Sequence, residues 1–173
     1  MTFIFKSEAL RILQAAELTS DMEMNHLCKL ASMACEMEFP EGEIIYHRGD
    51  MGQALYLIEE GRVVVEIDVP NLGLVTVNIF GPGQIFGWSS LFPSERKIGW
   101  TRTTKPTRVL AINANRLRAA FQFDHNLEYA VVRRAARAMV DRIKASRQQW
   151  VATCVRISTE PAYGEMWKSG LKQ

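Results

Sequence analysis

Residues 80–100, FGPGQIFGWSSLFPSERKIGW, combine the residue types that bind a small anion. Three glycines and a proline precede a Ser-Ser pair, and an Arg-Lys pair follows. Glycines let a ligand approach the main chain, and exposed N–H groups at the start of a helix attract negative charge. Trp88 comes directly after the last of the three glycines, where a bulky side chain is unexpected in a phosphate cradle. The stretch therefore predicts an anion-binding loop that contains a tryptophan.

The residues before and after this loop divide into regions by the period of their apolar positions. Residues 1–38 predict two or three short helices, because apolar residues between 7 and 38 recur every three or four positions. Residues 39–112 contain short segments of alternating polar and apolar residues, such as 62–69, separated by Gly, Pro, Asn and Asp. Such segments favour an antiparallel barrel or jelly roll. The predicted fold is mainly β, a barrel or a jelly roll (double-stranded β-helix), with flanking helices.

The helical period returns over residues 113–150. Asn115 is expected to cap a short helix that ends at Phe121. Residues 126–150 contain neither Gly nor Pro and predict a helix of about seven turns. Its apolar stripe consists of Leu127, Val131, Ala135, Met139 and Ile143. A helix this long with a broad apolar side predicts packing on its own domain and on a partner, so we expect a homodimer. Residues 151–173 form a tail, in which 153–157 are compatible with a strand.

The composition is that of one globular domain. The 173 residues are 47% hydrophobic and 23% charged, and the net charge of +2 is too small to indicate nucleic-acid binding by itself. The sequence shows neither a secretory leader nor a run of about 18 apolar residues. The three cysteines are expected to be buried small residues in a reducing compartment. These features predict a cytoplasmic protein without a membrane segment.

Residues for catalysis or metal binding are not grouped in this sequence. The three histidines, His26, His47 and His125, lie far apart, one in each region. The clustered His and Glu ligands of a metal-binding jelly roll are therefore missing. Ser89 and Ser90 follow a glycine but lack the G-x-S-x-G frame of a nucleophile elbow. We expect a binding domain and not an enzyme.

Two stretches of the β region resemble the cyclic nucleotide-binding domain family, which includes catabolite activator proteins and the regulatory subunits of protein kinase A. They are residues 39–65, FPEGEIIYHRGDMGQALYLIEEGRVVV, and residues 80–91, FGPGQIFGWSSL. Several separate glycines fall in register, and the resemblance covers roughly residues 10–148. It implies a ligand-sensing regulatory domain that takes a cyclic nucleotide or another small anionic ligand in a phosphate-binding cassette at residues 86–101.

The resemblance also implies which residues hold the ligand, although this sequence departs from the pattern. Trp88 replaces the glutamate that binds the ribose, and an indole offers a donor but no acceptor. Lys97 falls at the place of the phosphate-binding arginine, with Arg96 beside it, so either could supply the cation. The candidate ligand-binding residues are Phe86, Gly87, Trp88, Ser89, Ser90, Leu91, Arg96, Lys97, Ile98, Gly99 and Trp100.

These departures leave three interpretations of the site. It binds cAMP or cGMP in the usual manner, or a different anion or aromatic compound that stacks on Trp88 or Trp100. Alternatively, Trp88 plugs the pocket and the domain serves as a dimerisation or adaptor module without a ligand.

The region after the long helix bears on the partners. Catabolite activators carry a winged helix-turn-helix of roughly 70 residues there. Only 23 residues follow Trp150, which argues against sequence-specific DNA binding. We expect the domain to act on a downstream protein that the sequence does not identify. Six basic residues between positions 133 and 147 form either a solvated helix face or a surface for an acidic partner.

Overall fold

The computed structural model describes residues 6–16 and 19–159, with side chains up to residue 148. The chain forms two compact units, Met1–Ala138 and Met139–Gln173. The expected strand at residues 153–157 is wrong, because the backbone there is helical and continues the preceding helix to Thr159. The rest of the predicted tail lies outside the described residues.

The N-terminal part contains two short helices followed by a strand. Helix α1 spans Lys6–Ala15, helix α2 spans Met24–Ser32, and strand β1 spans Ala34–Phe39. The predicted helical character of residues 34–38 is wrong, because β1 pairs antiparallel with the last strand of the sheet. Alternate residues of β1, namely Cys35, Met37 and Phe39, belong to the core or pack against it. Their period of two was hidden by the helical spacing of the preceding apolar residues.

The middle of the chain forms an antiparallel β-roll, which confirms the predicted fold class. Its further strands are β2 (Ile44–Tyr46), β3 (Ala54–Val69), β4 (Gly73–Phe80), β5 (Ile85–Phe86) and β6 (Trp100–Asn113). The sheet has the order β1-β6-β3-β4, while β2 pairs with β6 and β5 pairs with β3. Consequently the two long strands β3 and β6 hold together segments that are far apart in the sequence.

Strand β3 continues through Gly61, so the predicted segment 62–69 forms one strand with the residues that precede this glycine. Gly61 lies between them at a φ of +97°, and the pairing with β6 shifts register on both sides of it. A Cβ atom at this position would lie 2.4 Å from the carbonyl oxygen of Pro106. Only glycine fits this close approach with a positive φ, so Gly61 lets one long strand bend while it stays paired with β6.

The C-terminal part of the first unit is helical. Helix α3 spans Ala114–Phe121, and its N-cap is Asn113, whose side-chain oxygen accepts from the N–H of Arg116 at 2.9 Å. The prediction that Asn115 caps this helix is wrong, because β6 ends at Asn113 and the helix begins one residue later. Helix α4 runs from His125 to Thr159. Among the described residues, no helix has the length and hydropathy needed to cross a membrane.

Candidate ligand-binding site

A cavity of about 290 Å³ lies between the loop after β5 and the side chains of strands β2, β3 and β4. A volume of this size is at the lower end of small-molecule sites. The strands supply one wall, and the loop that connects β5 to β6 supplies the other. The lining residues are Tyr46, Val65, Asn78, Phe80, Phe86, Gly87, Trp88, Ser89, Phe92, Glu95, Arg96, Lys97, Ile98 and Gly99.

Eight of the eleven predicted ligand residues line this cavity, and the other three do not. Ser90 and Leu91 are buried within the fold, where a Cβ atom on Gly52 would lie 2.5 Å from Cα of Ser90. Trp100 lies in β6 opposite Glu66. The eight that line the cavity are Phe86, Gly87, Trp88, Ser89, Arg96, Lys97, Ile98 and Gly99.

The loop begins at Gly87, which has a φ of +80° and precedes a 3₁₀ helix, Trp88–Leu91. A Cβ atom on Gly87 would lie 3.0 Å from both the carbonyl oxygen of Ala54 and the ring of Tyr56. The backbone angle and the tight packing both favour glycine at this position. Since the helix has only four residues, the positive charge of the site comes mainly from a side chain and not from a helix dipole.

That side chain is Lys97, which is 95% buried although it carries an amine. Its Nζ donates to Oγ of Ser89 at 2.9 Å and to the carbonyl oxygen of Gly87 at 3.3 Å. The same Nζ lies 4.5 Å from the centre of the Tyr46 ring. Burial lowers the pKa of Lys97 to about 8, and no carboxylate in the described part of the chain forms an ion pair with it.

Arg96 lies beside Lys97 in the chain but is engaged elsewhere. Its side chain is exposed, and Nη1 donates to the carbonyl oxygen of Gly49 at 2.9 Å. The main chain of Lys97 is bonded to the same turn, because its N–H donates to Asp50 and its carbonyl accepts from Gly49. These bonds fix the loop to the turn before β3. They also leave Lys97 as the cation that lies deepest in the site.

The strand wall of the cavity is mostly aromatic. Phe86 stacks on Tyr56 with ring centres 4.7 Å apart, and Trp88 meets Phe80 edge to face at 5.7 Å. Burial raises the pKa of Tyr46 to about 12, so its phenol stays neutral at physiological pH. Trp88 is only partly buried and forms part of the wall.

Sequence reasoning missed six of the lining residues. The strand residues were missed because alternation alone does not show which of the two faces of a strand meets a distant loop. Phe92 and Glu95 were missed because they lie in an irregular segment between the predicted positions. A usable signal was Asn78, a polar side chain within an apolar strand. The missed residues are Tyr46, Val65, Asn78, Phe80, Phe92 and Glu95.

The loop is connected to the C-terminal helices by a side chain from α3. Arg118 donates through Nη1 to the carbonyl oxygen of Ser90, and through Nη2 to the side-chain oxygen of Asn115. Ser90 is the neighbour of Ser89, which binds Lys97. A continuous set of contacts therefore runs from the cavity to α3.

Among the described residues, no three His, Cys, Asp or Glu side chains come together as metal ligands.

The fold is thus an antiparallel β-roll with a cavity beside the loop that begins at Gly87. The sequence profile of the cyclic nucleotide-binding domain family matches residues 36–124, and the chain belongs to that family. This finding confirms the resemblance identified in the sequence.

Three relatives show how far the similarity extends. The cyclic AMP receptor protein of Thermus thermophilus is 34% identical over 76 residues, which are 43% of this chain and 34% of that protein. A structure from Geobacter metallireducens GS-15, classed among cyclic nucleotide-binding proteins, has a TM-score of 0.71 and 28% identity. It covers 82% of this chain and 99% of its own. A cyclic nucleotide-binding domain from Methylobacillus flagellatus KT has a TM-score of 0.72 and 24% identity, with coverages of 86% and 83%. The chain spans between about a third and a half of the curated relatives that it matches.

Proposed function

We propose that this protein is a cytoplasmic regulatory domain that senses a small anionic ligand in the cavity beside Lys97. The observation that carries this proposal is the burial of the Lys97 amine without a carboxylate partner among the residues that the structure describes. Taking an ammonium out of water is costly unless an opposite charge compensates for it. A bound anion would provide that charge and would raise the pKa of Lys97 back toward its ordinary value.

The position of Trp88 supports a site that takes a ligand. The indole lies in the cavity wall against Phe80, and about 290 Å³ remains beside it. A tryptophan that plugged the pocket would leave little volume. This favours a liganded domain over the alternative in which the fold serves only as an adaptor or dimerisation module.

We further propose that ligand binding is relayed through α3 to α4 and on to a downstream protein. Lys97 contacts Ser89, the adjacent Ser90 contacts Arg118 of α3, and α4 begins four residues after α3 ends. A ligand that favours one arrangement of the loop would shift the population of helix positions. We also propose that the protein forms a homodimer through residues 126–150, as the sequence predicts.

A thermal-shift titration of the wild-type chain tests ligand sensing. cAMP is the first ligand to try, because one relative is named as a cyclic AMP receptor protein. cGMP and small aromatic and aliphatic anions follow. A ligand at 100 times its dissociation constant stabilises by about 2.7 kcal/mol, which is an easily measured shift. Lys97→Met should abolish the shift, whereas Lys105→Met, which removes an exposed lysine of β6, should preserve it.

The result that would contradict the proposal is the absence of a shift with every compound. Trp88→Glu serves as a second arm, because it restores the carboxylate that the family resemblance places there. If only Trp88→Glu responds to cAMP, the scaffold is intact and the natural ligand is a different compound. If neither protein responds to any compound, the adaptor interpretation replaces ligand sensing.

A further inference from the structure

We infer that the cavity beside Lys97 binds a flat aromatic acid that carries a single negative charge. This inference rests on the proposed ligand-sensing function and names the class of its ligand. It follows from the charges of the lining residues, the hydrogen-bond donors near Lys97, the aromatic wall and the apolar side chains at the mouth.

The charges that line the cavity favour a monoanion. Lys97 and Arg96 are positive and Glu95 is negative, so their sum is one positive charge. Only Lys97 is buried, while Arg96 and Glu95 are exposed and the Arg96 guanidinium donates to Gly49. A dianion such as a phosphate monoester would set two charges against one buried ammonium, with Glu95 opposing it. A single negative charge is therefore the best match.

The donors around Lys97 fit the two oxygens of a carboxylate. An ammonium has three N–H groups, and in Lys97 two of them are directed to Gly87 and Ser89. Among the described residues the third N–H has no hydrogen-bond acceptor, although Nζ also lies 4.5 Å from the centre of the Tyr46 ring, so this N–H is the one that a ligand can take. The hydroxyl of Ser89 accepts from Lys97, so its own hydrogen can be donated. The two donor atoms lie 2.9 Å apart, which lets each of them bond one oxygen of the same acid group.

The wall around this charge favours an aromatic ring over a sugar. Tyr46, Phe80 and Trp88 present ring surfaces to the cavity, and Val65 adds an aliphatic one. Aromatic rings pack well on such surfaces in offset or edge-to-face geometry. A sugar would direct several hydroxyl groups at this wall. Asn78 of β4 can bond some of them, but a hydroxyl that meets only the rings and Val65 would be buried without a partner, which is costly. The wall is therefore suited to a compound without a ribose.

The mouth of the cavity combines two apolar side chains with the exposed Arg96 and Glu95. Phe92 is 45% exposed and Ile98 is 78% exposed, and both line the cavity. Exposed apolar groups beside a concave site are a feature of surfaces that a ligand or partner covers. An aromatic ring whose acid group reaches Lys97 would extend outward past these two side chains. The ligand would thus be bound by its charge at the inner end and by its ring at the outer end.

Isothermal titration calorimetry of the wild-type protein with a matched pair of probes tests this inference. The pair is 2-naphthoate and 2-naphthamide, which share shape and ring but differ in charge, and cAMP is titrated in parallel. We expect 2-naphthoate to bind at least tenfold more tightly than 2-naphthamide and than cAMP. Its affinity should fall at least tenfold in Lys97→Met and should be unchanged in Lys105→Met. The comparison of acid with amide needs no variant, so it tests the inference independently of Lys97→Met.

The outcomes separate this inference from the proposed function. Equal binding of 2-naphthoate and 2-naphthamide would overturn the inference, since the charge would then have no role. Binding of cAMP without binding of 2-naphthoate would overturn it as well, while ligand sensing would stand. If neither the naphthalene probes nor cAMP bind, the inference fails, and the wider thermal-shift screen decides whether ligand sensing fails too. As a further check, the affinity for 2-naphthoate should decline as the pH rises from 8 to 10 and Lys97 loses its charge.

Discussion

Arg118 of helix α3 donates a hydrogen bond to the main-chain carbonyl of Ser90, and thereby connects the C-terminal helices to the loop of the cavity. Ser90 is fully buried and lies in the 3₁₀ helix that starts after Gly87. The neighbouring Ser89 accepts a hydrogen bond from Lys97 inside the cavity. One side chain therefore connects the 3₁₀ helix beside the cavity with α3, the helix that precedes α4.

Replacement of Arg118 should loosen the loop. We expect Arg118→Met to lower the free energy of unfolding by about 1 kcal/mol, the net value of a typical hydrogen bond. Amide hydrogen exchange over residues 88–91 should become faster, because the 3₁₀ helix loses its anchor. Arg116→Met is the control, since Arg116 is exposed on the same helix and makes its hydrogen bond through the main chain. Equal exchange in both variants would show that Arg118 does not hold the loop.

The buried amine of Lys97 should make stability depend on pH. Its pKa is lowered from the ordinary 10.5 to about 8, so the unfolded chain binds more protons between these values. The free energy of unfolding therefore rises as the pH increases from 8 to 10.5. This gain is lost when the pH falls back to 8, and below pH 8 the amine is protonated in both the folded and the unfolded chain. The difference corresponds to roughly 3 kcal/mol at 1.36 kcal/mol for each pKa unit. Urea denaturation at several pH values measures it.

The same measurement on Lys97→Met isolates this contribution. Methionine has no charge to desolvate, so the variant should be more stable than the wild type at pH 7 and should converge toward it near pH 10.5. Subtracting the two free energies of unfolding at each pH removes the contributions of other groups that titrate in this range. Tyr46 is one of them, because its raised pKa lowers the stability as the pH increases above 10. Parallel stability curves would contradict a lowered pKa for Lys97.

Gly99 lines the cavity but should act mainly through packing. A Cβ atom at Gly99 would lie 2.4 Å from the carbonyl oxygen of Glu66, a main-chain atom that cannot move easily. We expect Gly99→Ala to destabilise the fold by roughly 1–3 kcal/mol. Gly81→Ala should change stability by less than about 0.5 kcal/mol, because no atom of the described residues lies within 4 Å of its Cβ position and its φ is not positive. Thermal or urea unfolding of the two variants distinguishes them, and similar losses would refute this reasoning.

The proposed homodimer should depend on the apolar stripe of α4. In the first unit Leu127, Val131 and Ala135 of this stripe are buried, whereas Ile143 in the second unit is 60% exposed. We expect Ile143→Glu to reduce the mass measured by light scattering at micromolar concentration from dimer to monomer, because a charge would be buried at the interface. Ala145→Glu places the same charge on another side of the helix and should leave the dimer intact. A monomeric wild type at this concentration would contradict the proposal.

The sequence determined the class of fold because most of its cues are local. Alternating residues in β3 and β4 predict strands, and turn residues such as Asn71 and Gly73 adopt the positive φ that a hairpin requires. The glycines at positions 81, 83 and 87, on both sides of β5, indicated the candidate site in a similar way, since a glycine-rich stretch is visible in the sequence without knowing any neighbour. The strand β1 was missed because its identity depends on pairing with β6, a contact about 70 residues away.

Only the tertiary structure decided how the candidate site is built. The sequence placed Arg96 and Lys97 side by side as equal candidates for the cation. In the folded chain Lys97 is buried beside the rings of the strand wall, whereas Arg96 is exposed and bonds the turn at Gly49. Likewise, the position of Trp88 in the wall and the contribution of Asn78 depend on which faces of distant strands meet the loop. Burial and the direction of a side chain arise from contacts that are remote in sequence, so spacing along the chain cannot specify them.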